Sequence, residues 1–289
     1  MGIRSVLCLL LGFMMLSSCI SLKELPNSQK EVDLHVMSYN IRYAEEEVGE
    51  NSWSKRKDLV LTQLKEVPVD IYMLQEPFKS QVDEINEILT NYSYVGNRRI
   101  ESIKWGGYNA IFFNHDKFKL LESHTFWLSE TPTKQSKGWD ANQERIATYA
   151  LLKDKSTRKK FFVFNIHLDR EGNTAKIESL KLIRQKIAEI NTEQFPVIIG
   201  GDFNSKETTE PIAYFDNYFK DSKKVSQQEA LGPKGTFNYF NSRASHIYRI
   251  DYIYVTETIE VKSYEVLDYQ FEGRYPSDHY PVYINMIIP

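Results

Sequence analysis

Short apolar runs with strand-like spacing fill this chain, and helical patterns do not regularly separate them. Strands are expected at Leu34 to Asn40, Ile71 to Gln75, Ala110 to Asn114, Ile146 to Leu152, Phe161 to His167, Val197 to Gly201, Ile250 to Val255 and Val282 to Ile287. Helices are expected at Lys55 to Glu66, Gln81 to Thr90 and Thr174 to Ile190. The last carries Ile177, Leu180, Ile183 and Ile187 as an apolar stripe that suits a helix facing a sheet. A doubly wound parallel sheet needs a helix between successive strands, so the pattern argues against that class. Two packed sheets with helices outside fit the pattern. After residue 31 no repeat, low-complexity tract or linker appears, and one domain is read from residues 32 to 289. With 289 residues, 42% of them hydrophobic, the chain buries a large core without staples.

The first residues are read apart from this fold. Arg4 precedes the apolar run VLCLLLGFMML, from Val6 to Leu16. That run has signal-peptide length and falls short of the roughly 20 residues a membrane span requires. Leu16-Ser17-Ser18-Cys19 then resembles a lipobox, which implies cleavage after residue 18 and a lipid on Cys19. Residues 1–18 are therefore expected to be a lipoprotein signal peptide and residues 19–31 the lipidated Cys with a polar tether. Cys8 and Cys19 are the only cysteines, so the mature domain has no thiol for a disulfide or a Cys-ligated zinc. Loss of Arg4 takes the formal charge from −3 to −4. No strong basic field is available to draw in long nucleic acid. The expected location is the bacterial cell envelope, through the lipid on Cys19, with the domain a monomer.

Polar residues interrupt the apolar runs at their ends. VMSYNIRY carries Asn40, and DIYMLQEPF carries Glu76. FFVFNIHLD carries Asn165, His167 and Asp169. PVIIGGDFNS ends in Asp202 and Asn204, RIDYIYV begins with Asp251, and YPSDHYPV places Asp278 and His279 before the last strand. Taken singly, an Asn or Asp at a strand end is most often a turn or cap residue. Together they are carboxylates, amides and imidazoles only, the set that holds a hard cation and handles a phosphate. Mg2+ takes carboxylate and amide oxygens and keeps several waters. Phosphoester hydrolysis then needs a nucleophilic water, charge stabilisation and a group to manage the proton, for which a carboxylate-held His is suited.

These segments, in this order, resemble the endonuclease/exonuclease/phosphatase superfamily, from about Val36 to Val282. GGDFNS (Gly200 to Ser205) and SDHYPV (Ser277 to Val282) carry the resemblance most strongly. LQE (Leu74 to Glu76) and IDYIYV (Ile250 to Val255) support it. TFWLSETP and GWDANQERIATYALL look like a secreted bacterial branch distantly related to the deadenylases. The resemblance implies an α/β (α+β) fold of DNase I type: a four-layered α-β-β-α sandwich whose two mostly antiparallel sheets pack face to face with helices outside. It also implies a Mg2+- or Mn2+-dependent phosphoester hydrolase.

Roles follow from the resemblance position by position. Glu76 matches the principal metal ligand, Asn40 the amide beside it and Asp278 a second metal-proximal acid. Asp202 matches the acid that positions or deprotonates the attacking water, and Asn204 the amide that orients water or phosphate. Asp251 matches the carboxylate that pairs with the catalytic His, and His279 that His, which either binds a phosphoryl oxygen or shuttles a proton. His167 matches a phosphate-contacting position. Arg145 matches an Arg that reaches a phosphate, and Asn109 is expected to line the same groove. Most aromatic side chains are read as core, with Trp53, Trp105 and Trp139 as candidates for a groove wall.

Two positions depart from the pattern. Arg170 stands where many relatives of this branch have a His after HLD, and Arg42 where abasic-site nucleases carry an Asp. Both would favour an anionic group in the pocket, and Arg42 weakens a DNA-repair reading. Two rivals to a small-phosphoester hydrolase are a surface or periplasmic nuclease and a non-catalytic ligand-binding lipoprotein on the same fold. The first predicts a steep salt dependence of binding; the second predicts lost acids or a lost His, and none is lost.

Overall fold

The computed structural model describes residues 31–44, 49–67, 69–100, 106–241 and 248–289. The expected signal peptide, Cys19, the tether up to residue 30 and Trp105 lie outside the described residues. No helix among the described residues is long and apolar enough to cross a membrane.

The chain runs β1 (Val32–Asn40), α1 (Trp53–Glu66), β2 (Ile71–Gln75), α2 (Lys79–Ile88), β3 (Tyr92–Val95) and β4 (Asn109–Asn114). Next come β5 (Phe118–Trp127), β6 (Ile146–Asp154), β7 (Lys160–His167), α3 (Asn173–Ile190), β8 (Val197–Asp202) and α4 (Glu210–Asp216). It closes with β9 (Lys220–Asp221), α5 (Ser222–Val225), β10 (Asp251–Val255), β11 (Glu260–Val266) and β12 (Val282–Ile288). Two six-stranded sheets result, ordered β11-β12-β1-β2-β4-β3 and β5-β6-β7-β8-β10-β9. Each has one parallel pair at its centre, β1/β2 and β7/β8, joined by α1 and α3 respectively, and is otherwise antiparallel. The sheets pack face to face with helices outside, as expected for a DNase I-like sandwich.

Period-two alternation builds the layers. On β1, Leu34 and Val36 face the opposite sheet while Met37 and Tyr39 face α1. On β7, Phe161 and Val163 enter the inter-sheet core while Phe162 and Phe164 pack under the Leu180, Ile183 and Ile187 stripe of α3. Continuing the inward-facing parity toward the strand ends gives Ser38 and Asn40, Gln75, Asn109, Asn165 and His167, Asp202 and Asp251, all buried. The space between the sheets is therefore apolar at one end and polar at the other.

Hydrogen bonds clamp the sheets beneath the polar end. Asn165 on β7 donates to the Leu74 and Ala110 carbonyls of the other sheet, at 2.9 Å each, and accepts from Gln75 Nε2 at 2.8 Å. Asn109 returns the link by donating to the Ile146 carbonyl at 2.8 Å.

Each expected strand and helix is present, with ends moved by no more than two residues. The sequence pattern did not reveal β3, β5, β9, β11, α4 or α5. Trp53, expected beside a groove, is the first residue of α1: it is buried and its indole donates to Glu84 at 2.8 Å. Trp139 is half-buried in a loop, its amide held by Glu130.

The clamp can be tested by Asn165→Ala. Removing its three cross-sheet bonds is expected to destabilise the fold by about 3 kcal/mol in urea denaturation. A change below about 0.5 kcal/mol would show that the clamp does not hold the sheets together.

Candidate active site

Strand register brings the polar residues to one mouth. In the parallel pairs, Asn40 lies beside Gln75, and His167 beside Asp202. The neighbouring antiparallel strands start where these end: Asn109 opposes Gln75, and Asp251 opposes Asp202. Arg145 immediately precedes β6, and Asp278 and His279 precede β12, whose Val282 opposes Ser38 of β1. The Ser277 hydroxyl donates to the Asn40 carbonyl at 2.7 Å and pins the loop that carries the His. Three non-glycine residues here have left-handed backbone: Arg42 (φ 58°), Glu76 (φ 73°) and Asn204 (φ 46°), each just past a strand end. Strained backbone of this kind concentrates at functional sites. Gly107 makes room for the Glu76 turn, since a Cβ there would lie 2.9 Å from the Glu76 Cα.

A pocket of about 80 Å³ opens at this mouth, lined among others by Glu76, His167, Asp202, Asn204, Asp278 and His279. Arg42, Arg145 and Arg170 also line it, so both departures from the family pattern face the centre. Asn40 lies just beneath, donating to Asp202 Oδ2 at 3.1 Å and accepting from the Arg42 amide at 3.0 Å. Asp251 is behind His279, with Oδ2 2.9 Å from Nδ1. Asn204 is oriented through its amide on Asp202 Oδ1 at 2.8 Å and its side chain on the Leu168 carbonyl at 3.0 Å. Asn109 stands apart from the other predicted residues: its Nδ2 is committed to main-chain carbonyls of the opposite sheet, and it lines a cavity of only about 10 Å³ behind Glu76. Asn109 is thus placed as a sheet clamp under the site.

The two imidazoles are driven in opposite directions. Burial alone would depress His279, but the Asp251 carboxylate and its hydrogen bond, helped by Asp202 and Asp278, lift it from 6.5 to about 10. Burial pushes His167 well below its ordinary value, and the charges of Arg145, Arg99 and His279 act in the same direction. His167 is therefore neutral, and its Nε2 accepts from Arg145 Nη1 at 3.0 Å. Its 3.4 Å approach to Asp202 is for that reason not an ion pair. Asp202 is raised well above the usual carboxylate range by burial and by the charge of Asp251. Arg145 is itself held by Asp169 at 3.4 Å. Burial would raise Asp169, but the amides of Gly172 and Glu171, with those of its other neighbours and Arg145, bring it down to about 2.

Sequence reasoning did not single out Arg99, Phe237 or Thr236. Arg99 lines the small cavity with Glu76, Arg145 and His167. Phe237 packs on the His279 ring at 4.7 Å, and the Thr236 hydroxyl accepts from the Asp251 amide at 3.1 Å. No spacing or motif marks them, because each reaches the site from a loop.

The donor set fits a hard divalent cation. Glu76, Asp202, Asp251 and Asp278 crowd one mouth, Asp251 Oδ1 is buried without a partner, and the described residues include no Cys. Ligand atoms of Asp202, Asp251 and His279 lie within 4.8 Å of one another, and His279 Nδ1 is bonded to Asp251.

A two-sheet sandwich with acids, amides and imidazoles at one mouth defines the DNase I-like class. Residues 37–279 match the model of the Endonuclease/Exonuclease/phosphatase family, and the chain belongs to that family of hydrolases. A family protein from Bacteroides thetaiotaomicron, known from its crystal structure, is 33% identical with a TM-score of 0.83, covering 90% of this chain and 99% of that one. The mannosyl-6-phosphatase of the same organism is 34% identical with a TM-score of 0.80, covering 88% of this chain and 99% of that one. An uncharacterised protein of Acanthamoeba polyphaga mimivirus is 27% identical over 248 residues, 80% of this chain and 91% of that protein.

The His279 assignment has a direct spectroscopic check. Its folded value lies above the unfolded 6.5, so the pair stabilises the fold fully below pH 6.5 and that contribution is lost as pH rises through about 10. In metal-free protein, NMR titration is expected to show His279 protonated through neutral pH, and Asp251→Asn is expected to drop it to 6.5 or lower. A wild-type midpoint near 6.5 would contradict the pairing.

Proposed function

We propose that this chain is a divalent-cation-dependent phosphoester hydrolase of the bacterial cell envelope, acting as a monomer. The observation that carries it is the convergence of Glu76, Asp202, Asn204 and His279, with three arginines, on one pocket. Glu76 would hold Mg2+ or Mn2+, with Asn40 and Asp278 beside it, and the cation would draw charge from the phosphoryl and leaving oxygens.

The protein's own groups account for the rest. Protonated His279, aligned by Asp251, donates Nε2–H to a phosphoryl oxygen. Arg145 and Arg170 add positive charge around the same group, where charge grows in the transition state. Asp202, with its affinity for a proton raised, takes one from a water oriented with Asn204. The water oxygen bonds to phosphorus as the bond from phosphorus to the alcohol oxygen breaks; the departing alkoxide takes up a proton from solvent, and Asp202 gives its own back to solvent. Neutral His167 accepts from Arg145 Nη1 and so positions that guanidinium.

The similarity to a mannosyl-6-phosphatase supports a small phosphate ester as substrate. The envelope location rests on Leu16-Ser17-Ser18-Cys19 alone.

Purified protein is expected to hydrolyse a chromogenic phosphate ester, to lose turnover in chelator and to regain it with Mg2+ or Mn2+. Glu76→Ala and His279→Ala should each lower kcat/KM by about a hundredfold or more. Turnover that survives both chelation and His279→Ala would refute the assignment.

A further inference from the structure

Three lysines stand in one row across β5, β6 and β7. Lys119 pairs with Lys153, and Lys153 with Lys160, in direct cross-strand register. Their neighbours Phe118, Leu152 and Phe161 enter the inter-sheet core, so the lysines point to the outer face of the sheet. Like charges directly opposite one another destabilise a sheet. Desolvation, and then the charges of Arg158, Lys160 and Lys119, push Lys153 below the ordinary lysine value. The turn between β6 and β7 adds Lys155, Arg158 and Lys159. Arg158 has a left-handed backbone (φ 70°) that glycine or asparagine adopts more easily.

Little of this charge is neutralised locally. Among the described residues, Lys119, Lys153, Arg158 and Lys159 have no side-chain hydrogen bond or ion pair. Lys160 meets Glu193 at 3.8 Å, and Lys155 donates to the His115 carbonyl at 2.6 Å. Asp154, in the same turn, is buried and accepts from the amides of Ser156 and Thr157. Apolar side chains flank the cations. Leu121 is 39% exposed in the β5 bulge between Leu120 and Glu122. The half-buried Phe195 ring lies 4.8 Å from the Lys160 ammonium. The whole chain is formally −3, so this cationic surface is a local feature.

The patch sits at the end of the sandwich opposite the catalytic mouth. Lys160 starts β7 and His167 ends it, about 23 Å away at the usual strand rise. β1 begins at the same end as the patch. The Lys155 amide donates to the Lys117 carbonyl at 3.0 Å, and Lys117 Nζ donates to the Asp33 carbonyl at 2.6 Å. The N-terminal segment, with its apolar run from Val6 to Leu16, therefore joins the fold beside these cations. Lysine and arginine meet headgroup phosphates at an anionic lipid interface, and exposed apolar side chains add buried area there. A nucleic acid would meet the cations but leave Leu121 in water.

We propose that the Lys119–Lys153–Lys160 row and the β6–β7 turn form a docking surface for an anionic lipid membrane, and that docking points the catalytic mouth away from the bilayer toward water-borne phosphate esters. This rests on the envelope reading above and adds to it which face meets the membrane.

The test measures the lipid concentration that half-binds the full chain, on phosphatidylcholine vesicles with and without phosphatidylglycerol. Wild type is compared with a triple variant carrying Lys119→Gln, Lys153→Gln and Arg158→Gly. Each cation at an anionic surface strengthens binding about fivefold, so the triple variant should bind the anionic vesicles about a hundredfold more weakly. Its binding to phosphatidylcholine alone should not change. Its melting temperature should equal or exceed that of wild type, because repulsion along the row and strain at Arg158 are relieved. Vesicle-bound wild type should hydrolyse a water-soluble phosphate ester as fast as free protein. Equal binding of wild type to both vesicle types, or a preference that the triple variant keeps, would overturn the surface. Tighter binding to a duplex oligonucleotide than to the anionic vesicles would overturn the lipid assignment, and turnover lost on docking would overturn the orientation. Vesicle binding is read without turnover or export, so it stands or falls apart from the hydrolase and envelope readings.

Discussion

The C-terminal ends of two parallel strand pairs, β1/β2 and β7/β8, meet across a sandwich, and the position of each site residue follows from that meeting. In each sheet the antiparallel neighbours begin where the parallel pair stops, so strand ends and strand starts supply side chains to the same mouth. Alternation along the strands then sends every second residue inward. Those residues are apolar through the core and become Asn, Gln, His and Asp over the last turns of the pleat. A slip of one residue in any of these strands would turn its functional side chain toward a helix. The cross-sheet bonds of Asn165, Asn109 and Asn40 hold the two sheets at the spacing the site requires.

Burying this much charge has a chemical result. Three carboxylates and three arginines line one small pocket, and its two imidazoles are set in opposite senses, His167 by burial and then by Arg145 and Arg99, His279 by Asp251 against its burial. His279, backed by Asp251, keeps its proton, whereas His167, facing Arg145 and Arg99, does not. One ring is a cationic donor and the other a neutral acceptor within the same site. Asp202, pushed toward the protonated form by burial and by Asp251, completes a set able to accept a proton from water. Environment, and not residue type, separates these roles.

Much of this was legible in the sequence. The buried strands β1, β2, β4, β6, β7, β8, β10 and β12 read clearly because they carry dense apolar alternation, and the polar residues at their ends stood out against it. The missed elements are those whose neighbours impose no such pattern. β5 is an edge strand exposed from Glu122 to His124, and β11 is an edge strand with a bulge between Val261 and Ser263. β3 is short and half-buried throughout. Asn109 was read as a groove residue because sequence cannot show which sheet an inward amide bonds to. Trp53 sat among polar residues, yet helix periodicity turns it inward. Arg99 and Phe237 reach the centre by loop geometry, which leaves no periodic trace.

On the proposed reading, the Glu76 side of the mouth seats a hard cation while Asp202, Asp251 and His279 manage the proton. Anomalous diffraction from crystals grown with Mn2+ tests it most directly. An anomalous peak is expected against the Glu76 carboxylate, with the His279–Asp251 bond intact. A peak bound by His279 within the Asp202–Asp251–His279 group, or none at Glu76, would contradict it.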